Sequence, residues 1–126
     1  MSSVELDIQQ VSAALGAEVR GVDLNNLSDG EFEAIQQAFA DHLVLFFPDQ
    51  DLTSKGHYDF AARWGDLEIV DGLPKIDDQY PEIVVLDDAQ TPTADVWHTD
   101  VTFRPEPPIT SILHMVKCPP VGGDTM

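Results

Sequence analysis

Apolar and polar residues alternate loosely at the start of the chain. Val4, Leu6 and Ile8 recur at every second position, which predicts a strand within residues 4–11. A second extended piece is predicted over residues 15–24, where Gly16 and Gly21 are typical of turn or bulge positions. We interpret this second piece as scaffold rather than as part of a site.

The period then changes to that of a helix. Ser28 and Glu31 stand three residues apart, as in a capping box, in which each side chain bonds the other residue's backbone N–H. Apolar residues follow at three- and four-residue steps: Phe32, Ile35, Phe39 and Leu43. This pattern predicts a helix over residues 29–41.

A continuous apolar run over residues 43–47 ends at Pro48, which is typical of a strand buried on both faces. A second helix is predicted from a cap at Thr53 through Trp64, with Gly65 as its left-handed stop. His57 falls inside this helix and is interpreted as a surface or hydrogen-bonded histidine rather than a ligand.

The rest of the chain predicts a long loop followed by strands. Residues 66–80 are rich in Asp, Gly and Pro, and loops of that length are usually functional or mobile. A short strand over residues 82–86, a polar connection over 87–95 and a nine-residue strand over 109–117 are expected. The order of elements predicts an α+β fold with helices packed on an antiparallel β core. Because the sequence contains no linker-like segment that would divide it, residues 1–126 are expected to form a single domain.

The strongly negative net charge of the chain argues against anionic binding partners. Six basic and twenty-three acidic residues give a formal net charge of −17, which repels nucleic acids and anionic membrane surfaces. We therefore expect no nucleic-acid partner, and we interpret most of the acidity as a solvated surface. The oligomeric state is left open, a homo-oligomer included.

The single cysteine, Cys118, cannot form an intrachain disulfide, which suits a reducing compartment. The N-terminus lacks a basic region followed by an apolar run, so no signal peptide is expected. No run of eighteen apolar residues occurs, so no membrane span is expected either. Together these features predict a cytoplasmic location.

Candidate metal chemistry lies in the β-prone residues 97–103. If this run is extended, His98 and Asp100 point to the same face, because side chains alternate along a strand. An imidazole and a carboxylate are two of the three ligands in the 2-His-1-carboxylate triad that holds non-heme Fe(II). The alternative is a solvent-facing polar pair on a strand edge. His114, in the run 109–117, is one candidate for the second histidine.

Four features in one order resemble the TauD/TfdA family of Fe(II)- and 2-oxoglutarate-dependent dioxygenases. They are the run Trp97-His98-Thr99-Asp100-Val101-Thr102-Phe103, the pair Pro107-Pro108, the alternating run 109–117 and the closing Gly122-Gly123-Asp124-Thr125. The resemblance implies a double-stranded β-helix (jelly roll) core flanked by N-terminal helices. Because members of that family continue well beyond the Gly-Gly-Asp-Thr motif, this chain is expected to be an N-terminal fragment.

The resemblance also implies roles for individual residues. His98 and Asp100 would be iron ligands and hence the catalytic pair, with the distal histidine and a 2-oxoglutarate-binding arginine expected beyond Met126. Thr125 would contact the 2-oxoglutarate carboxylate, although it also suits a plain turn residue. Val101 and Phe103 would line the substrate pocket, with core packing as the alternative.

The implied activity is hydroxylation of a small organic acid, such as an alkyl sulfate, a sulfonate or an aryloxyalkanoate. Fe(II) would be the cofactor, 2-oxoglutarate and O2 the co-substrates, and succinate and CO2 the products, while the fragment alone is expected to be inactive. Taurine is disfavoured, because the His and Asn that taurine-using relatives place after F-G-x-L and before W-H-T-D are not evident here. Two alternatives are a non-catalytic β-barrel binding protein with a vestigial metal site, and a metal-dependent hydrolase or isomerase on a cupin-like barrel.

Overall fold

The structure, a computed structural model, describes residues 4–87 and 96–125. The chain divides into two compact units, Met1–Gly56 and His57–Met126. The expectation of one continuous domain stays a prediction. The helices and strands in chain order are β1 (Asp7–Gln10), β2 (Ala17–Arg20), α1 (Asp29–His42), β3 (Leu45–Phe46) and α2 (Ser54–Ala62).

The first unit contains a three-stranded sheet in the order β1-β2-β3. β1 and β2 pair antiparallel, from Asp7 opposite Arg20 to Gln10 opposite Ala17. A tight turn joins them, in which the Val11 N–H donates to the Gly16 carbonyl at 3.0 Å. β3 pairs parallel with β2, because α1 carries the chain back across the sheet before β3 begins. The sheet is therefore mixed: the prediction of an antiparallel β core agrees with β1 and β2 and was wrong for β3.

α1 confirms the helix predicted over residues 29–41 and extends it by one residue. The capping box is formed: the Ser28 N–H donates to Glu31 Oε2 at 2.8 Å, and the Glu31 N–H donates to Ser28 Oγ at 3.2 Å. The Ser28 backbone N–H and then its hydroxyl bond the carboxylate and lower the pKa of Glu31. Ile35 of α1 and Val19 of β2 are fully buried at the centre of the core.

β3 is shorter and more exposed than the apolar run predicted. It comprises only Leu45 and Phe46, and Phe46 is 51% exposed. The strand lies at the edge of the described sheet, pairing with β2 alone. The prediction of a strand buried on both faces was therefore wrong, because an apolar run by itself does not say how many neighbours a strand has.

α2 begins as predicted and ends two residues early. Thr53 Oγ1 accepts a hydrogen bond from the Gly56 N–H at 3.0 Å, which is the bond of an N-terminal cap. At the other end the Trp64 N–H donates to the Ala61 carbonyl, three residues back, at 3.0 Å. The last turn thus tightens before Gly65, whose φ is 147°.

Asn25 ties the loop after β2 to the start of α2 within the first unit. Its Oδ1 accepts from both the backbone N–H and the hydroxyl of Thr53, each at 3.0 Å. Its Nδ2 donates to the Asp51 carbonyl at 2.8 Å. One amide side chain therefore satisfies three polar groups around the helix start, which the sequence pattern did not predict.

In the described residues after α2, the structure has no helix and no strand, only an isolated antiparallel bridge between Lys75 and Val84. The strands predicted over residues 82–86, 97–103 and 109–117 are therefore wrong for this structure. Backbone groups form a strand only against a partner, and the described residues supply none beyond that bridge. The predicted connection 87–95 lies outside the described residues, apart from Asp87.

The double-stranded β-helix implied by the resemblance is likewise not present among residues 4–87 and 96–125, which show a small sheet and two helices. Within those same ranges, every helix is too short or too polar to cross a bilayer.

Candidate metal centre

Residues 96–104 form bends and a turn rather than the predicted strand. Val101 adopts a left-handed conformation with φ 54°, unusual for a β-branched residue. The Arg104 N–H donates to the Val101 carbonyl at 3.2 Å, and the hydroxyls of Thr99 and Thr102 lie 2.6 Å apart. Short-range bonds of this kind give the segment its shape.

The turn nonetheless brings the two predicted ligands together. His98 Nε2 lies 3.3 Å from Asp100 Oδ1. His98 Nδ1 lies 2.8 Å from the Val96 carbonyl oxygen, which can only accept, so Nδ1 carries the proton of that bond. The imidazole therefore turns its other nitrogen toward the carboxylate.

With the proton of that bond on Nδ1, His98 points the lone pair of Nε2 at a carboxylate oxygen 3.3 Å away. A cation between these two donor atoms would be held by both. Two ligands bound at right angles to a metal, each about 2.1 Å from it, lie about 3 Å apart. The observed separation fits an adjacent ligand pair.

The environment of His98 also suits a ligand. Metal-ligating histidines usually donate their other ring N–H to a carboxylate, a carbonyl or a water, which fixes the tautomer and the ring orientation. The bond from Nδ1 to the Val96 carbonyl has that form. Both side chains are accessible, 49% exposed for His98 and 67% for Asp100.

A third protein ligand is not found in the described part of the chain, where no three His, Cys, Asp or Glu side chains cluster closely enough to hold an ion. His114, the alternative second histidine, instead meets His57 edge-on with ring centroids 6.2 Å apart. His57 Nε2 in turn lies 2.9 Å from the Ile112 carbonyl oxygen, in keeping with its interpretation as a hydrogen-bonded histidine. The described residues thus place side by side an imidazole and a carboxylate, two of the ligand types that a facial triad uses.

The other predicted site residues are present but not assembled around this pair. Val101 is half-buried, and Phe103 is 85% exposed. Thr125 is exposed and follows Gly122 and Gly123, whose φ values of 81° and 75° form a left-handed turn. The pocket and co-substrate roles of these three residues remain predictions.

An ion pair near the candidate ligands was missed at the level of sequence. The Arg104 guanidinium pairs with the Glu68 carboxylate, and the two residues are 36 positions apart. Nothing in the local pattern around either residue indicates the other. A composition argument finds only that cations are scarce, six in the whole chain.

A cavity of about 460 Å³ lies in the first unit, lined by residues of the loops 22–25 and 49–53. Its polar lining includes Asp23, Asp49 and Asp51. None of the residues predicted for metal, co-substrate or substrate binding lines it.

Comparison with known proteins agrees with the residue pattern. The family model described as Taurine catabolism dioxygenase TauD, TfdA family matches residues 7–126. An alpha-ketoglutarate-dependent sulfate ester dioxygenase of Pseudomonas putida is 40% identical over 98% of this chain and 42% of its own length. An (S)-phenoxypropionate/alpha-ketoglutarate-dioxygenase of Sphingobium herbicidovorans is 30% identical over 98% of this chain and 45% of its own. An alkylsulfatase of Acinetobacter baylyi is 33% identical over 96% and 38%, respectively.

Solved structures give a similar result for part of the chain. A protein of Burkholderia xenovorans proposed to be an alpha-ketoglutarate dependent 2,4-D dioxygenase matches with a TM-score of 0.51 at 30% identity. The match covers 54% of this chain and 27% of that one. The chain spans less than half the length of the curated relatives given above.

Proposed function

Because the chain belongs to the taurine catabolism dioxygenase TauD, TfdA family, we propose that it supplies two iron ligands of an Fe(II)- and 2-oxoglutarate-dependent dioxygenase. The observation that carries this proposal is the convergence of His98 Nε2 and Asp100 Oδ1 at 3.3 Å. The donation from His98 Nδ1 to the Val96 carbonyl supports it, because that bond leaves Nε2 free to ligate.

His98 and Asp100 hold the metal in this proposal and leave its other positions to a third protein ligand, 2-oxoglutarate and O2. When bound, the iron supplies the oxidising chemistry that couples decarboxylation of 2-oxoglutarate to hydroxylation of an organic substrate, giving succinate and CO2. The protein's own part is to fix the ligand geometry and to exclude competing reactions. Thr125 contacts the 2-oxoglutarate carboxylate, and a jelly roll core surrounds the site.

We further propose that the substrate is a small organic anion of the sulfate ester or aryloxyalkanoate type. The names of the matched relatives, a sulfate ester dioxygenase, an alkylsulfatase and a phenoxypropionate dioxygenase, support this class. Val101 and Phe103 contribute apolar contacts to the organic part of such a substrate. In a chain of net charge −17, the anionic end requires a local cation, since the overall field repels it.

The test is succinate formation by the natural protein with Fe(II), 2-oxoglutarate and, in parallel, an alkyl sulfate, phenoxypropionate and taurine. We expect turnover with at least one of the first two and little with taurine. Asp100→Ala should abolish iron retention and succinate formation together, since the carboxylate is the only anionic protein ligand proposed. His114→Ala is the matched control, a histidine outside the ligand pair. Full activity in Asp100→Ala would overturn the ligand assignment, and succinate formation independent of iron would overturn the proposed function.

A further inference from the structure

Among the described residues, one ion pair joins the segment 96–104, which carries the candidate ligands, to a distant part of the second unit. Every other hydrogen bond recorded for residues 96–104 in the described ranges joins residues two or three positions apart. The Arg104–Glu68 pair instead reaches 36 residues back, to the loop that follows α2. It therefore bears on where the segment lies, whereas the short-range bonds give the segment its turn.

We propose that Glu68 and Arg104 are positioning residues for the His98–Asp100 pair. Arg104 closes the turn that starts at Val101 through its backbone N–H, while its guanidinium holds Glu68. Arg104 thus links the turn next to Asp100 to Glu68, in the loop that follows α2. The consequence for iron rests on the proposed function, whereas the consequence for local order does not.

The exposure of the neighbouring side chains makes this tether important. Trp97 and Phe103, which flank the ligands, are 84% and 85% exposed, so they contribute little packing to hold the segment. The ion pair itself is less accessible, 45% for Arg104 and 36% for Glu68. With few apolar contacts, the order of such a segment depends strongly on its polar ones.

The ion pair with Glu68 favours a positioning role for Arg104 over a role as a free, anion-binding cation. The guanidinium is already engaged by Glu68, and an arginine fork bound by a carboxylate has fewer N–H groups left for a second anion. A substrate-binding role for Arg104 makes a different prediction, because it does not need Glu68. A variant that exchanges the Arg104 and Glu68 charges keeps the ion pair but removes the cation from position 104, so it distinguishes positioning from substrate binding.

The first measurement is hydrogen exchange of the amides of residues 97–104 in the metal-free natural protein. Arg104→Gln and Glu68→Gln should each raise exchange in this segment about twofold to fivefold, the modest effect of a half-exposed pair. The exchanged variant, Arg104→Glu with Glu68→Arg, should restore most of the protection. The matched control is Arg20→Gln, which breaks the 2.5 Å pair with Glu18 inside β2 and should leave residues 97–104 unchanged.

The second measurement is Co(II) affinity, read from its absorption spectrum. Each single variant should weaken binding about tenfold, the low end for groups that orient a ligand, and the exchanged variant should recover most of the affinity. Unchanged exchange in Arg104→Gln, or no recovery in the exchanged variant, overturns the positioning role. If wild-type protein binds no Co(II) while the exchange results hold, the proposed function fails and the tether stands.

Discussion

Replacing Gly56 with alanine should destabilise the protein, although alanine is the better helix former. Gly56 lies in the first turn of α2, where an added Cβ would come within 2.0 Å of Asn25 Oδ1 and 3.2 Å of the Asn25 Cα. The Cα belongs to the backbone, so the side chain alone cannot relieve all of the contact. Asn25 would have to leave its place beneath the helix start.

The magnitude follows from the bonds that Asn25 would lose. Its Oδ1 accepts from the N–H and hydroxyl of Thr53, and its Nδ2 donates to the Asp51 carbonyl. At about 1 kcal/mol for each bond, the loss is about 3 kcal/mol. The higher helix propensity of alanine returns about 1 kcal/mol. We therefore expect Gly56→Ala to lower the free energy of unfolding by about 2 kcal/mol.

Urea unfolding followed by far-UV circular dichroism measures this change, with Gly30→Ala as the control. Gly30 also lies in the first turn of a helix, but its added Cβ would meet only Val4 Cγ2, at 2.9 Å, the end of a partly exposed side chain that can rotate away. Gly30→Ala should therefore be neutral or stabilising. In an Asn25→Ala background, Gly56→Ala should lose most of its cost, because only the 3.2 Å approach to the Cα of residue 25 remains. Equal effects of the two glycine substitutions, or an additive double variant, would refute the reasoning.

Two further substitutions probe the ends of α1. Ser28→Ala removes the hydroxyl from the capping box, leaves the backbone N–H bond to Glu31 in place, and should cost about 1 kcal/mol at neutral pH. Because the fold lowers the pKa of Glu31, the stabilisation by its carboxylate is present above the unfolded value of 4.5 and is lost as the pH falls through the folded value. Urea titrations at several pH values should therefore show that the free energy of unfolding depends less on acid pH in Ser28→Ala. Leu43→Gly should be neutral or stabilising by up to about 1 kcal/mol. The helix ends at Leu43 with φ 68°, a conformation that favours glycine, and the Leu43 side chain is 61% exposed. A thermal melt with a clearly lower midpoint would contradict this.

The parts of the fold that local sequence encodes were predictable. α1 was predicted to within one residue, because its capping box and its apolar period are both short-range features. The predicted β pieces at the start were trimmed to four residues each but lie where expected. β3 and the later strands depend on a neighbouring strand far away in sequence, and no residue of the run 109–117 identifies one.

His98 and Asp100 lie together as predicted, but in a different backbone conformation, and their role as ligands stays a prediction. A strand places side chains two apart on the same face, and His98 and Asp100 were expected to meet for that reason. They meet in a turn instead, with Val101 at positive φ. The Glu68–Arg104 pair was not predictable, because no local pattern connects residues that far apart.

The closeness of the two ligands along the chain explains why the half-site survives this change of conformation. The His98–Asp100 contact and the bond from His98 to Val96 each span only two residues. Because these contacts close loops of only two residues, the loss of loop-closure entropy is small, and no distant segment is needed to bring the two side chains into contact. The third ligand of a facial triad has no such neighbour and depends on long-range structure. In the proposed site, metal affinity should therefore depend on distant parts of the fold, the Glu68–Arg104 pair included, whereas the approach of His98 to Asp100 should follow from residues 96–100 themselves.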